Sequence, residues 1–195
     1  EGSGRLTLEL FNSLLGLAAL REASVYGAYS GAGTLWTAGS PQGEGAFFGR
    51  FGFLRETGLR NCAREARVTA SSRFIEGQGT EELTDGFPLT FYASEQEEGT
   101  WIRFDFDSPR SIKYLVLINA APDGSGYLTK DLDILGEDAG GSSARIGGLK
   151  DNGRCVAVIP LEGSRRALTL AAVKPNLFDR HTRIGEAYLL AVEEE

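Results

Sequence analysis

The sequence is poor in the residues that mark several common kinds of functional site. Its 195 residues include one histidine, two cysteines and no methionine. Cys62 and Cys155 lie far apart with no C-x-x-C spacing, which excludes zinc-finger and thioredoxin-like motifs. They can form one disulfide or remain two buried thiols, and the sequence leaves both open. A single histidine also limits the catalytic triads that the chain can build.

Long apolar runs and an excess of positive charge are missing as well. The most apolar window, Leu14–Leu20, is far shorter than the roughly 18 to 20 residues that span a bilayer, so we expect no membrane span. A net charge of −7 and a pI near 4.9 argue against a nucleic-acid partner, because phosphate binding needs clustered Lys and Arg. Methionine is absent even from position 1, so we expect a processed or trimmed chain whose signal peptide, if any, has been removed.

The chain does have the composition of a folded protein with many tight turns, since 42% of its residues are apolar and 26 are glycine. Apolar residues recur at helical spacing over residues 5–24, which predicts an amphipathic helix. Residues 25–58 alternate aromatics with glycine and predict an extended arm or hairpins, not a nucleotide site, because no Gly-Lys-Ser/Thr follows the glycines. We therefore predict that residues 1–58 form a segment that packs on the domain of residues 59–195 or docks on another subunit.

From Asn61 onward the pattern is that of strands. In Trp101–Phe106 apolar and polar residues alternate, which predicts one buried and one exposed face. Tyr114–Ile118 is apolar throughout, as in a central strand covered on both faces. Further strands are predicted at Asp131–Leu135, Arg154–Pro160, Ala167–Val173 and Glu186–Val192. So many strands, separated by turn residues, predict an all-β, antiparallel β-sandwich.

Several motifs resemble, in order and spacing, the discoidin or coagulation-factor type C domain family. They cover residues 60–193, approximately, and are Asn61–Ala63, Val68–Ser72, Leu83–Gly86, Thr90, Trp101–Phe106, Ser108–Arg110 and Arg183–Ala191. The resemblance implies the galactose-binding jelly roll that this family shares with bacterial carbohydrate-binding modules. It also implies binding instead of catalysis, and an extracellular or surface-exposed location, on a cell or a virion.

The resemblance further implies a structural cation, usually calcium, at the loop that begins with Asp85. Its ligands would be Asp85, the main-chain carbonyl of Phe87, Thr90 and the late Glu186. Calcium takes six to eight oxygen ligands, which carboxylates, hydroxyls and carbonyls supply. In the alternative, Asp85 and Glu186 cap a turn and a strand end. One departure concerns the cysteines, because Cys155 falls well before the last strand, where the family has its second disulfide cysteine.

Sugar recognition in such modules uses loops at one end of the sandwich, and the candidate loops here are residues 73–79, 123–129 and 174–183. The last is the richest in suitable side chains. An aromatic ring beside a planar donor fork is suited to a sugar, with the ring against the sugar face and the donors on its hydroxyls. The predicted ligand-binding residues are Asn176, Phe178, Arg180 and His181; the alternative is a charged, solvated loop.

Three functions follow as hypotheses. The first is a non-catalytic carbohydrate-binding or cell-surface adhesion module. The second is a structural subunit of a larger assembly (virion, appendage or surface layer) that docks through residues 1–58, and the third is a protein-binding scaffold. We expect no enzyme activity, because Ser71–Ser72 lies in a strand motif explained by the fold and not in a nucleophile elbow.

Overall fold

A computed structural model describes residues 59–85, 90–95, 98–119, 127–153 and 156–192. The predicted N-terminal helix and arm lie outside the described residues, as do Phe87 and Cys155. The described residues form two short 3-10 helices, Ala63–Glu65 and Glu81–Leu83, and nine strands whose pairings are all antiparallel. The strands are β1 (Leu59–Asn61), β2 (Arg67–Ala70), β3 (Tyr92–Ala93), β4 (Trp101–Asn119), β5 (Asp131–Glu137), β6 (Ser143–Leu149), β7 (Val156–Pro160), β8 (Ser164–Lys174) and β9 (Arg183–Val192).

The long strand β4 belongs to both sheets of the sandwich. Its first half, Trp101–Asp105, pairs with β2 and β8, and its second half, Ile112–Asn119, pairs with β7 and β9. The pairing with β8 is irregular between Asp105 and Arg110, where Pro109 has no N–H to donate to the ladder. Trp101–Phe106 and Tyr114–Ile118, which were predicted as separate strands, are therefore parts of one strand whose register shifts near the proline. One sheet is completed by β5 and β6, the other by β1 and β3.

The core lies between the sheets and contains the residues that alternation predicts. Ile102, Phe104 and Phe106 are almost completely buried, whereas Trp101, on the opposite face, is 38% exposed. Leu115, Val116, Leu117 and Ile118 are all fully buried, as expected for a strand covered on both faces. Burying a large apolar side chain stabilises a fold by about 1.5–3 kcal/mol, so this pattern explains why the chain adopts the sandwich.

Strand β6 was not predicted, and its glycines explain why. Gly147 and Gly148 interrupt the apolar pattern, yet both are required by close packing. A Cβ on Gly148 would lie 2.4 Å from the carbonyl oxygen of Leu132 on β5, and one on Gly147 would lie 3.2 Å from the side chain of Leu161. Glycine allows the two strands to approach each other.

Cys62 is a free, fully buried thiol. Its Sγ donates to the carbonyl oxygen of Leu189, 3.2 Å away on β9. Burial, together with the nearby charge of Glu65, raises the pKa of the thiol to about 11. Cys62 therefore belongs to the core, and a thiol with so high a pKa is a poor nucleophile. Among the helices that the structure describes, none is long and apolar enough to cross a membrane.

Candidate functional site

Four loops meet at one end of the sandwich, and their described residues are 71–80, 94–95 with 98–100, 127–130 and 175–182. They include the described parts of all three loops that the sequence marks as candidates. Backbone hydrogen bonds tie the loops to one another and to the strand ends: Phe74 N–H to Ala93 O (2.9 Å), Ser94 N–H to Thr182 O (3.0 Å), Ala172 N–H to Thr100 O (2.8 Å) and Lys130 N–H to Lys174 O (3.1 Å). We call this continuous face the loop surface.

Asn176 organises the richest of these loops from beneath the surface. Its side chain is only 2% exposed. The amide Nδ2 donates to Asp179 Oδ1 (2.6 Å) and to the carbonyl oxygen of His181 (2.7 Å). Its Oδ1 accepts the N–H groups of Phe178 (2.8 Å) and Asp179 (2.9 Å). An asparagine side chain that bonds the backbone of the residues that follow it fixes the turn. These bonds therefore fix the position of Phe178.

His181 is also buried, with 4% of its surface exposed. Its Nδ1 lies 2.7 Å from the carbonyl oxygen of Ser94, so this nitrogen carries the proton and donates it. The imidazole also packs against Phe74, with ring centroids 4.3 Å apart and the rings tilted by 52°. Phe74 itself is 45% exposed. His181 therefore supports an exposed aromatic ring from below.

Phe178 is the most exposed large apolar side chain of the described residues, at 72%. Its ring packs against Tyr127, with a centroid separation of 4.9 Å and a tilt of 54°. The guanidinium of Arg183 lies 4.6 Å from the centroid of the Tyr127 ring, on its face, and 5.4 Å from that of Phe91. Such cation–π contacts are favourable at these distances. A stack of Phe178, Tyr127 and Arg183 thus holds one ring out toward solvent.

Asp179 holds Arg183 in this stack. The two side chains form an ion pair and are only 21% and 14% exposed, respectively. Partial burial acts to raise the pKa of Asp179, but hydrogen bonds from Asn176 and from the His181 N–H, together with the charge of Arg183, lower it overall. Asp179 is consequently ionised at neutral pH, and its charge is neutralised by Arg183.

Arg180, in contrast, extends into solvent beside a groove. Its backbone has φ of +64°, in the left-handed region that few residues other than glycine adopt. Its Nη2 lies 3.4 Å from Glu98 Oε1, and the two side chains are 68% and 90% exposed. Arg180, Glu98, Lys174 and Leu177 are among the residues that line a groove of about 640 Å³. This volume lies in the range of small-molecule sites.

Of the predicted cation ligands, Asp85 and Thr90 lie between the second 3-10 helix and β3, and Glu186 lies in β9. Thr90 Oγ1 donates to Asp85 Oδ2 at 2.8 Å. A Cβ built on Gly185 would be 3.6 Å from the Thr90 carbonyl oxygen, so Thr90 lies beside the residue that precedes Glu186, which is 1% exposed. Phe87 lies outside the described residues. Within the described part of the chain, no three His, Cys, Asp or Glu side chains group as metal ligands, so a cation here would also need hydroxyl and carbonyl oxygens.

Three residues at the loop surface or beside it were not singled out from the sequence: Phe74, Tyr127 and Arg183. Phe74 and Tyr127 fall within candidate loops, where an aromatic among polar residues is the available signal. Arg183 is the last residue of the third candidate loop and the first of the Arg183–Ala191 motif, and no role in ligand binding was predicted for it. Its contact with Tyr127 depends on the fold, because 55 positions separate the two residues and no local pattern connects them.

No protein-family model and no curated protein matches the chain. Solved structures do match it. A family 32 carbohydrate-binding module from Streptococcus pneumoniae EndoD is 21% identical with a TM-score of 0.59, covering 69% of this chain and all of that one. The corresponding module of Clostridium perfringens NanJ, in complex with galactose, is 11% identical (TM-score 0.58; 68% and 98% covered). The lectin domain of lectinolysin, complexed with Lewis B antigen, is 16% identical (TM-score 0.57; 70% and 98% covered).

These similarities cover nearly the whole of each solved domain, and at such low identity they concern the fold. Family 32 carbohydrate-binding modules are discoidin-like, galactose-binding jelly rolls. The all-β fold predicted from the sequence motifs is therefore confirmed: the described residues of this chain form a discoidin-like jelly-roll β-sandwich.

Proposed function

We propose that this protein is a non-catalytic glycan-binding module whose ligand binds at the loop surface. The observation that carries the proposal is the ring of Phe178, 72% exposed and supported by Tyr127. A ligand that covers this ring removes apolar surface from water, which favours binding. Its flat face suits the C–H face of a sugar ring, and the similarity in fold to carbohydrate-binding modules and lectin domains supports the same conclusion.

In this proposal the predicted ligand-binding residues divide into two groups. Phe178 and Arg180 contact the ligand, one through its ring and the other through hydrogen bonds to hydroxyls. Asn176 and His181, both under 5% exposed, position the loop and Phe74 and do not reach the ligand. Holding the contact residues rigidly lowers the entropy lost on binding.

We propose that a structural calcium ion binds at the predicted ligands Asp85, Thr90 and Glu186. Asp85 and Thr90 are already hydrogen-bonded to each other, and Thr90 lies beside the strand that carries Glu186. Their carboxylate, hydroxyl and carbonyl oxygens fit the hard-oxygen preference of calcium. A bound ion would fix the connection into β3 and would take no part in chemistry.

Calcium at 100 times its Kd would stabilise the domain by about 2.7 kcal/mol, which corresponds to a rise in Tm of roughly 5–10 °C. Thermal unfolding in EDTA and in increasing CaCl₂ measures this rise, and Asp85→Asn should reduce it. An unchanged Tm across the titration would exclude the site at Asp85, Thr90 and Glu186.

The absence of catalysis is part of the proposal, and two serines support it. Ser71 Oγ accepts the N–H of Trp101 (3.1 Å), and Ser72 Oγ accepts the N–H of Glu95 (3.1 Å). Both hydroxyls serve as acceptors that join the loop to its neighbours, which explains their presence without a nucleophilic role. An extracellular or surface-exposed location agrees with a glycan ligand and is proposed with it.

A glycan array probed with the purified chain tests the function, with galactose- and Lewis B-containing glycans as the first probes. Phe178→Ala should weaken binding at least about fivefold, because an aromatic contact of this kind contributes about 1–3 kcal/mol. Val192→Ala, an exposed apolar residue in the last position of β9, is the matched control and should bind as the wild type does. Absence of binding to any glycan, or binding that Phe178→Ala leaves intact, would refute the proposal.

A further inference from the structure

The groove beside Phe178 has a different character from the aromatic ring, and it adjoins the same loop. Leu177 and Arg180, which flank Phe178 in sequence, line the groove, whereas Phe178 does not. Its wall also contains Val173 and Lys174 from the end of β8. A ligand that extends beyond one sugar ring on Phe178 would therefore enter a groove with apolar and charged walls.

Two of the charged side chains that line the groove are cations held only by weak ion pairs. Arg180 and Glu98 are 3.4 Å apart, with side chains 68% and 90% exposed. Lys174 and Asp151 are 3.9 Å apart, with side chains 47% and 76% exposed. Exposed pairs at these distances contribute little to stability, because water screens them. A ligand can thus bind either cation in place of its carboxylate partner with little loss of protein stability.

The nearby Arg183 is not available in the same way. It is 14% exposed, forms an ion pair with Asp179 and stacks on Tyr127. Arg183 is therefore held by its structural contacts, whereas Arg180 and Lys174 line the groove. The groove lining has two cations, Lys174 and Arg180, and one carboxylate, Glu98. Asp151, the exposed partner of Lys174, adds a second carboxylate beside the groove, so the charges around the groove balance in a chain of net charge −7.

We propose that the groove binds a sugar carboxylate, so that the preferred glycans are acidic. Arg180 would form a two-point contact with the carboxylate, which its planar guanidinium matches in geometry. Lys174 would add a second charge from the other side, while Val173 and Leu177 cover the apolar face of the sugar. The net negative charge of the protein repels anions in general, so a preference for acidic glycans must come from this local arrangement. The inference rests on the proposed glycan-binding function.

Matched pairs of ligands test it by isothermal titration calorimetry. The first pair is digalacturonate and its neutral methyl ester, and the second is 3′-sialyllactose and lactose. The acidic member should bind at least about tenfold more tightly than its neutral partner, the size of one charge-assisted hydrogen bond. The preference for the acidic ligand should fall as the NaCl concentration is raised, because the side chains of Arg180 and Lys174 are exposed to solvent and salt screens their charges. Comparing the two pairs shows whether a uronic acid or a sialic acid supplies the carboxylate.

The double variant Lys174→Gln, Arg180→Gln should bring the ratio of affinities toward one. Arg166→Gln, an exposed cation in the third position of β8, is the control and should keep the preference. Thermal unfolding of each variant shows whether it is folded, and the ligand pairs measured on the wild-type protein give a result that does not depend on any variant.

Equal binding of acidic and neutral partners by the wild-type protein would overturn the inference and leave the proposed function standing. A preference that survives in the double variant would overturn the assignment to this groove. If neither the acidic nor the neutral glycans bind, and the glycan array also shows no binding, both the proposed function and this inference are wrong.

Discussion

Replacing Asn176 by alanine should open the loop that presents Phe178, although Asn176 itself is 2% exposed. The substitution removes four hydrogen bonds: two donated by Nδ2, at 2.6 and 2.7 Å, and two accepted by Oδ1, at 2.8 and 2.9 Å. Each contributes about 0.5–1.5 kcal/mol net, so the free energy of unfolding should fall by about 2–6 kcal/mol. For a domain of this size that is a decrease in Tm of roughly 5–25 °C.

Thermal unfolding measures the global effect, and amide hydrogen exchange measures the local one. The amides of Phe178 and Asp179, which lose their acceptor, should exchange faster, whereas core amides of β4 should change only through global stability. Leu177→Ala is the matched control, because this neighbour is 66% exposed and surface substitutions usually stay within about 0.5 kcal/mol. If Asn176→Ala unfolds at the same temperature as Leu177→Ala and its loop amides stay protected, Asn176 does not organise the loop.

Three further substitutions test other parts of the structure. Because the pKa of Asp179 lies below its ordinary value of 3.8 in the folded protein, its charge stabilises the fold above pH 3.8, and this contribution is lost as the pH falls through the lowered pKa. Asp179→Asn should remove this pH-dependent contribution to the free energy of unfolding, which urea unfolding at several pH values measures. A pH profile equal to that of the wild type would contradict the prediction. Gly148→Ala should lower the free energy of unfolding by about 1–3 kcal/mol, because its Cβ would meet a backbone carbonyl at 2.4 Å. Gly153→Ala is the control and should not, because a Cβ there would have nothing within 4 Å. Equal Tm values for the two variants would contradict the close approach of β5 and β6. Tyr127→Ala should weaken glycan binding severalfold in calorimetry by removing the support of Phe178, and unchanged affinity would exclude that support.

The strands that could be predicted are those in which burial leaves a periodic trace. Ile102, Phe104 and Phe106 all point into the core, so each contributes to a pattern that is visible in the sequence. Gly147 and Gly148 leave no such trace, since Gly148 lets two backbones approach and Gly147 leaves room for the side chain of Leu161. β3 has two residues, too few for any period. The pattern detects what side chains bury, and these positions depend on backbone contacts.

The structure brings the described parts of the candidate loops together, but it exposes only some of the side chains that were predicted to bind a ligand. Loop 174–183 does lie at the end of the sandwich with the other candidate loops. Asn176 and His181, however, are buried, because burial within a loop depends on contacts with distant segments, such as that of His181 with Ser94. Tyr127 and Arg183 meet only after the sandwich has formed. Sequence identifies side chains that are able to bind a sugar, whereas the fold determines which of them are exposed.

The most direct test of the central claim is to map where a glycan binds. In an amide chemical-shift titration with the strongest array glycan, changes should concentrate in the loop surface, at residues 71–80, 94–95, 98–100, 127–130 and 175–182, with Phe178 and Arg180 among the most affected. Changes centred on the outer face of the sheet, around Arg103 and Glu137, with the loop surface unaffected, would contradict it.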